Sequence, residues 1–319
     1  MSLYRHSLPQ LEDHLFLTDG GLETTLVFHE GLELPCFAAF DLLKDDTGIA
    51  TLRRYFAPYL ESARSHGTGF VLEAPTWRAN PDWAARLGYD ARALAEANRR
   101  AIELMVELRA EHAAPDWPIV ISGNLGPRGD GYRVESRMSA DEARAYHAAQ
   151  VETFAGTEAD MIAAFTMTYP EEAIGILHAA RDAGLPAVIS FTVETDGRLP
   201  SGDSLADAID RTDDATGGYA AYFMINCAHP THFAGVLADG AAWRERVRGL
   251  RANASTRSHA ELDESPDLDD GNPVELGGQY RELLASLPKL NVLGGCCGTD
   301  HRHVAAIAAA CASGTAQAA

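Results

Sequence analysis

The chain has 319 residues, 46% of them hydrophobic and 23% charged, enough to bury a sizeable core and typical of an ordinary globular protein. Its formal net charge is -20, and such a field repels phosphate backbones and anionic lipid surfaces. Nucleic-acid and membrane partners are therefore not expected, and small-molecule ligands are.

The opening segment, MSLYRHSLPQLEDH, has no basic patch followed by an apolar run, so no secretory signal is read there. The apolar runs fall short of the ~20 residues that a membrane helix needs. The expected location is cytoplasmic.

Along the chain, short β-type runs alternate with longer helical patterns. The predicted strands are 15–18, 69–73, 119–122, 161–165, 187–192, 222–226, 247–252 and 290–293. They are apolar and rich in Ile, Val and Phe, as strands buried on both faces should be. Between the second and third, Leu94, Ala97, Ala101, Leu104, Met105 and Leu108 form an apolar stripe at helical spacing. Ser139 with Glu142 three residues on reads as a capping box that opens a helix reaching about Gly156. The last helix opens near Thr299 or Asp300, with a stripe of Val304, Ile307, Ala308 and Cys311.

Eight β-then-α units predict a (β/α)8 TIM barrel, a single domain over residues 1–319. The nucleotide-binding forms of the alternative, an open doubly wound sheet, need a phosphate loop after the first strand, and Asp19-Gly20-Gly21 lacks the G-x-G-x-x-G spacing. The long acidic segment 254–276 follows the seventh strand, on the barrel's carboxyl face. It reads equally as a lid over the site or as a solvated insertion.

Five cysteines, at 36, 227, 296, 297 and 311, are too few and too scattered for a disulfide framework. Cys227 follows the sixth strand directly, and the adjacent pair Cys296 and Cys297 follows the eighth within Gly294-Gly295-Cys296-Cys297-Gly298. Carboxyl ends of barrel strands face one mouth, so three thiols distant in sequence are expected to converge. Zinc takes four tetrahedral ligands at about 2.3 Å from sulfur, and three protein ligands leave one position open. An all-thiolate zinc is a poor Lewis acid for hydrolysis. It still lowers the pKa of an incoming thiol, which stays nucleophilic enough to take a methyl group from a sulfonium. Gly294, Gly295 and Gly298 are expected to let the backbone turn tightly beside the ion. Cys311 reads as core and Cys36 as a loop residue without a role. His229, His232, His301 and His303 lie near the cysteine motifs, and each reads more readily as structural than as a ligand.

These residues resemble the homocysteine S-methyltransferase family, whose members include betaine-, S-methylmethionine- and methylfolate-dependent enzymes. The resemblance runs over nearly the whole chain. It is carried by Leu17-Thr18-Asp19-Gly20-Gly21, Thr76-Trp77-Arg78-Ala79-Asn80-Pro81, Ser122-Gly123-Asn124-Leu125-Gly126-Pro127, Ile189-Ser190-Phe191-Thr192, Asn226-Cys227 and the Gly-Gly-Cys-Cys-Gly segment. It implies a barrel with Zn2+ on Cys227, Cys296 and Cys297 and the homocysteine thiolate in the fourth position. It also implies that Asp19 and the glycine backbone after it help bind the amino-acid end of the substrate.

One departure stands out. Many members carry Glu-Thr-x-Pro after the fourth strand, and here Met167 stands where that glutamate would be. Methionine cannot accept a charge-assisted hydrogen bond from an ammonium group, so Asp19 or Glu194 is expected to compensate, unless the acceptor is a different thiol. The expected substrate-binding residues are Asp19, Gly20, Gly21, Thr76, Asn124, Met167, Glu194 and Asn226.

The chain ends soon after the last barrel helix, which argues against a cobalamin or folate module and for a small donor such as S-methylmethionine or S-adenosylmethionine. Trp77, Tyr132, Tyr169 and Phe191 are candidate aromatic faces for a sulfonium. The competing readings are a catalytically silent zinc-binding thiol sensor and, less favoured, a zinc hydrolase. A monomer and a simple homo-oligomer are both open.

Overall fold

Apolar runs of four to seven residues, buried from end to end, can satisfy their backbone only by pairing on both sides, and closing the sheet removes its edges. The computed structural model describes residues 2–134, 136–239 and 241–312 and shows that solution. Eight parallel strands close into a barrel in sequence order: β1 (Phe16–Leu17), β2 (Gly69–Glu73), β3 (Ile119–Leu125), β4 (Met161–Met167), β5 (Ala187–Phe191), β6 (Phe223–Asn226), β7 (Val247–Ala252) and β8 (Val292–Gly295). β1 pairs with β2 through Phe16 and Gly69, and with β8 through Phe16 and Val292. All eight expected strands are present, with ends displaced by up to three residues.

Helices follow most strands: α1 (Asp46–Ser65), α2 (Ala91–Glu111), α3 (Ala140–Ala155), α4 (Pro170–Ala183), α5 (Leu205–Thr216), α6 (Pro273–Ser286) and α7 (His301–Ala312). The stripe from Leu94 to Leu108 is the buried face of α2, and α3 starts at the Ser139–Glu142 capping box with both reciprocal bonds made. The sixth unit departs from the expected pattern. β6 is followed by the four-residue helix Pro230–Phe233 and two 3-10 turns, Val236–Asp239 and Ala242–Arg246. Among the described residues, no helix is long and apolar enough to cross a membrane.

Strand alternation sorts the core into two layers. Outward residues such as Phe70, Leu72, Ile121 and Ile162 pack against the helices. Inward residues, among them Phe16, Val71, Val120, Met161, Ala163, Val188 and Met224, fill the barrel. The N-terminal segment closes the amino end. Leu8 joins the inner cluster, and Asn291 Nδ2 donates to the carbonyls of Gln10, Glu12 and His14 at 2.8, 2.9 and 2.9 Å. Asp160 accepts from the Leu3 and Tyr4 amides and pairs with Arg109. The opposite, carboxyl end is polar, and it holds the site.

β4 departs from regular alternation. Its register against β5 shifts between Ala164 and Met167, and Thr166 within that stretch has φ +63°. The irregularity turns Met167 away from the barrel axis and into the outer core, where it is fully buried among the helix-facing side chains.

Candidate active site

Three cysteines meet at the carboxyl mouth. Cys227 continues from β6 in the left-handed region, at φ +57°. Cys296 and Cys297 follow β8. Cys227 Sγ lies 2.8 Å from Cys296 Sγ and 3.4 Å from Cys297 Sγ, and all three sulfurs lie within 4.8 Å of one another. Tetrahedral zinc–sulfur bonds of about 2.3 Å place sulfurs about 3.8 Å apart, so modest side-chain rotation suits the trio to zinc. The donor set also matches that ion, since soft thiolates in a tetrahedral site favour zinc. Among the described residues no histidine or carboxylate completes the cluster.

The backbone around the trio is held by specific bonds. Asn226 Oδ1 accepts from the Thr166 amide at 2.9 Å and from Ser190 Oγ at 2.6 Å, while its Nδ2 donates to Thr166 Oγ1 at 2.9 Å. One side chain thus ties together the ends of β4, β5 and β6 and fixes the residue before Cys227. The Cys227 carbonyl is bonded to His259 Nε2, whose other nitrogen meets Glu194 at 3.2 Å. Burial opposes charge on His259, but the bonds to Glu194 and Cys227 offset it and raise its proton affinity. Of the expected glycines, Gly298 supplies the turn, at φ +77°. Gly294 serves close approach instead: a Cβ there would stand 2.0 Å from Thr18 Oγ1.

Without a metal the trio shares protons unequally. Hydrogen bonds from Cys227 and Cys297 hold Cys296 well below the usual thiol range, and the same contacts, with burial, push Cys227 well above it. The Tyr132 hydroxyl lies 3.1 Å from Cys227 Sγ and 3.5 Å from Cys297 Sγ, and its ring packs on His259 with centroids 4.3 Å apart.

Beneath the sulfurs the barrel axis is occupied by Arg251. Its Nη1 stands 2.8 Å from Asp19 Oδ1, a close ion pair rather than a well-angled hydrogen bond. Its Nε and Nη2 donate to the carbonyls of Gly295 and Gly20, each at 3.0 Å, and the guanidinium lies 5.1 Å from the Phe165 ring centroid. Tyr55 donates to Asp19 Oδ2 at 2.9 Å. Burial pushes Asp19 up, offset in part by Arg251. Burial works against Arg251 as well, but Asp19 and Glu73 keep it charged.

The cavity between these layers, of about 80 Å³, is walled by the three cysteines, Arg251 and, of the expected substrate residues, Asp19, Gly20, Gly21, Asn124 and Asn226. Three of the expected residues lie off this wall. Met167 is turned into the outer core by the β4 irregularity, and Thr166 takes its place on the cavity wall. Thr76 is buried and spends its hydroxyl on the Asn124 carbonyl at 2.8 Å. Glu194 lies behind His259, outside the wall.

The sequence reading passed over Glu23, Glu73 and Arg251, all on the wall. The signal for Arg251 was present: an arginine inside a strand buried on both faces needs an interior partner.

A second cavity, of about 340 Å³, adjoins the first and shares Thr24, Phe37, Trp77, Tyr132 and Cys297 with it. Its wall includes His259, Leu262, Asp263, Asp267 and Asp269, all from the 254–276 segment. Trp77 and Tyr132 face both cavities, whereas Phe191 stacks on Phe223 in the core and Tyr169 is buried against the Met138 amide. His229 bonds Thr231, His232 the Thr256 carbonyl, and His303 Asp300 and the Asp270 carbonyl. His301 is exposed.

A closed parallel barrel with three converging thiols at its carboxyl mouth defines a (β/α)8 enzyme built to handle sulfur. Solved structures of similar fold include the homocysteine methyltransferase MmuM from Escherichia coli. Its oxidized form is 21% identical over 95% of this chain and 98% of that one, with a TM-score of 0.75. Its metallated form is 20% identical over the same shares, with a TM-score of 0.74. No curated protein sequence matches the chain. Residues 16–311 match the family model described as Homocysteine S-methyltransferase, and the chain belongs to that family. It is an S-methyltransferase.

Proposed function

We propose that the chain transfers a methyl group from a small sulfonium donor, such as S-methylmethionine or S-adenosylmethionine, to the thiol of homocysteine, giving methionine. The observation that carries this reading is the convergence of three cysteine sulfurs on one wall of a single cavity at the barrel's carboxyl mouth. Cys227, Cys296 and Cys297 are the residues that would hold zinc, and zinc bound there would lower the proton affinity of an incoming thiol while leaving it nucleophilic.

The rest of the chemistry falls to the chain. A bond forms from the acceptor sulfur to the methyl carbon as the donor's sulfonium–carbon bond breaks. The donor leaves as a neutral thioether, and the thiol proton passes to solvent. No acid or base is needed at the methyl carbon, so the protein contributes alignment and exclusion of water. Asn226 and His259 fix the backbone on either side of Cys227. Trp77 and Tyr132 offer aromatic faces to a cationic donor in the outer cavity, and the acidic rim of Asp263, Asp267 and Asp269 favours the same charge. All five cysteines are free, which suits a reducing compartment, the cytoplasm. An all-thiolate donor set disfavours hydrolysis.

The test has two parts. Protein purified under reducing conditions is expected to carry about one zinc per chain, lost in Cys297→Ala. With backbone carbon-13-labelled homocysteine and unlabelled S-methylmethionine or S-adenosylmethionine, mass spectrometry is expected to find backbone-labelled methionine with at least one donor. Zinc-free wild type that cannot be reloaded would refute the metal site, and no labelled product with zinc present would refute the acceptor or the donor class.

A further inference from the structure

The acceptor reading leaves its ammonium group without a partner. Met167 faces the outer core. Asp19 spends one oxygen on Arg251 and the other on Tyr55. Glu194 is engaged with His259 away from the cavity. Two other carboxylates do reach the cavity. Glu73 ends β2, and Val71, two residues earlier, belongs to the inner cluster, so alternation aims Glu73 into the barrel. It is 3% exposed, it walls the same cavity as the three sulfurs, and its Oε2 is buried without a hydrogen-bond partner. The Ser122 hydroxyl is near enough to ease its charge slightly but makes no properly angled bond to it. Glu23 lies on the cavity wall next to Leu22 and Thr24 and close enough to Cys296 and Asp19 to feel their charge.

The nearby cations act on these carboxylates through space, Arg251 on Glu73 and Arg78 on Glu23, but neither donates a hydrogen bond to them. Arg251 is committed to Asp19 and two carbonyls. Arg78 is sandwiched by Trp77 and Trp83, at 4.4 and 3.7 Å, and donates to the Gly129 carbonyl. A buried carboxylate oxygen with no partner is costly unless a donor arrives.

We infer that Glu73, with Glu23 beside it, is the subsite that takes the ammonium group of the amino-thiol acceptor, and so selects an α-amino acid over a plain thiol. The inference rests on the homocysteine reading above and names the residues that give it specificity. In homocysteine two methylenes separate the sulfur from the carbon that bears the ammonium, and the carboxylates lie within the same small cavity as the sulfurs. Burial pushes Glu73 up to about 8 and Glu23 up to about 7 against the pull of Arg251 and Arg78, and an ammonium donating directly to them would favour their charged forms.

The test compares homocysteine with 4-sulfanylbutanoate, the same thiol without the amino group, by anaerobic calorimetry on the zinc-loaded full chain. A charge-assisted hydrogen bond supports about a tenfold or greater preference for homocysteine in wild type. Glu73→Gln is expected to erase most of that preference by weakening homocysteine alone, with 4-sulfanylbutanoate unchanged within about twofold. Equal weakening of both thiols, or an unchanged preference, overturns the inference. If Glu73→Gln fails to fold, the half-buried Glu23→Gln decides on the same criterion, a severalfold loss confined to homocysteine. Wild type that binds 4-sulfanylbutanoate as tightly as homocysteine overturns this subsite and leaves the thiol chemistry standing. Wild type that binds neither thiol overturns both.

Discussion

Arg251 and Glu73 show how much one buried charge decides. Arg251 neutralises Asp19 and braces the carbonyls of Gly20 and Gly295, so it ties the loop after β1 to the end of β8, just before the cysteine pair. Arg251→Met leaves Asp19 buried and unpaired, and the expected loss is about 3–5 kcal/mol, read as a lowered urea midpoint. Glu73 carries the opposite lesson. Its ordinary value is 4.5, and burial raises it to about 8. The folded chain therefore holds a proton that the unfolded chain has released between those values. Stability from this group is full below 4.5 and is lost as pH climbs through about 8. Urea midpoints are expected to fall from pH 5 to pH 8.5 in zinc-free wild type, with a shallower fall in Glu73→Gln. Neither residue stood out in the sequence, because each sits at or within an apolar strand and reads as part of its boundary. The cysteines did stand out, because thiols at two strand ends have few other reasons to be adjacent.

Among elements, the strands were legible because burial on both faces writes itself as unbroken Val, Ile and Phe runs. What periodicity could not disclose is the slip in β4. One residue in the left-handed region reverses the facing of the next, and so a residue expected at the substrate lies among helices. Thr166 keeps that geometry because Asn226 binds both its amide and its hydroxyl. Asn226→Ala removes the bonds to Thr166 and Ser190 and the 4.0 Å contact with Cys296 Sγ and leaves a buried amide unpaired, with an expected cost of about 1–3 kcal/mol. It also loosens the residue before Cys227, so weaker zinc retention against a chelator is expected alongside the lower midpoint. The short sixth unit was equally hidden: its Pro230 start and Gly235 read as helix punctuation without stating how little helix follows.

Over the whole molecule the two ends of the barrel do different work. The amino end is plugged by the N-terminal segment, and Asn291 gathers three of its carbonyls at once. Asn291→Ala is expected to lower stability by about 1–3 kcal/mol while leaving zinc content and methyl transfer at wild-type levels, since it sits at the opposite end of β8 from the cysteine pair. The same variant series thus separates folding from chemistry: losses at the plug move the urea midpoint alone, and losses at Asn226 move both midpoint and metal retention. Sequence reading captured this architecture and the sulfur cluster because both follow from local pattern and strand-end geometry. Of the polar floor it named Asp19 on the β1 loop but not Glu73 on β2 or Arg251 on β7, because an arginine inside an apolar strand signals a buried partner without saying which residue across the barrel supplies it.

The shared wall between the two cavities sets an order of events. The inner space, beside the sulfurs and Glu73, adjoins the outer space at Phe37, Trp77 and Tyr132, and the N-terminal segment plugs the amino end. Molecules must queue. Whatever fills the inner space enters before the outer one is occupied, and it leaves after the outer one is vacated. In steady-state terms the thiol is the leading substrate and the methylated thiol the last product, so with S-adenosylmethionine as donor, where the two products differ, product inhibition by methionine is expected to be competitive against homocysteine and noncompetitive against the donor.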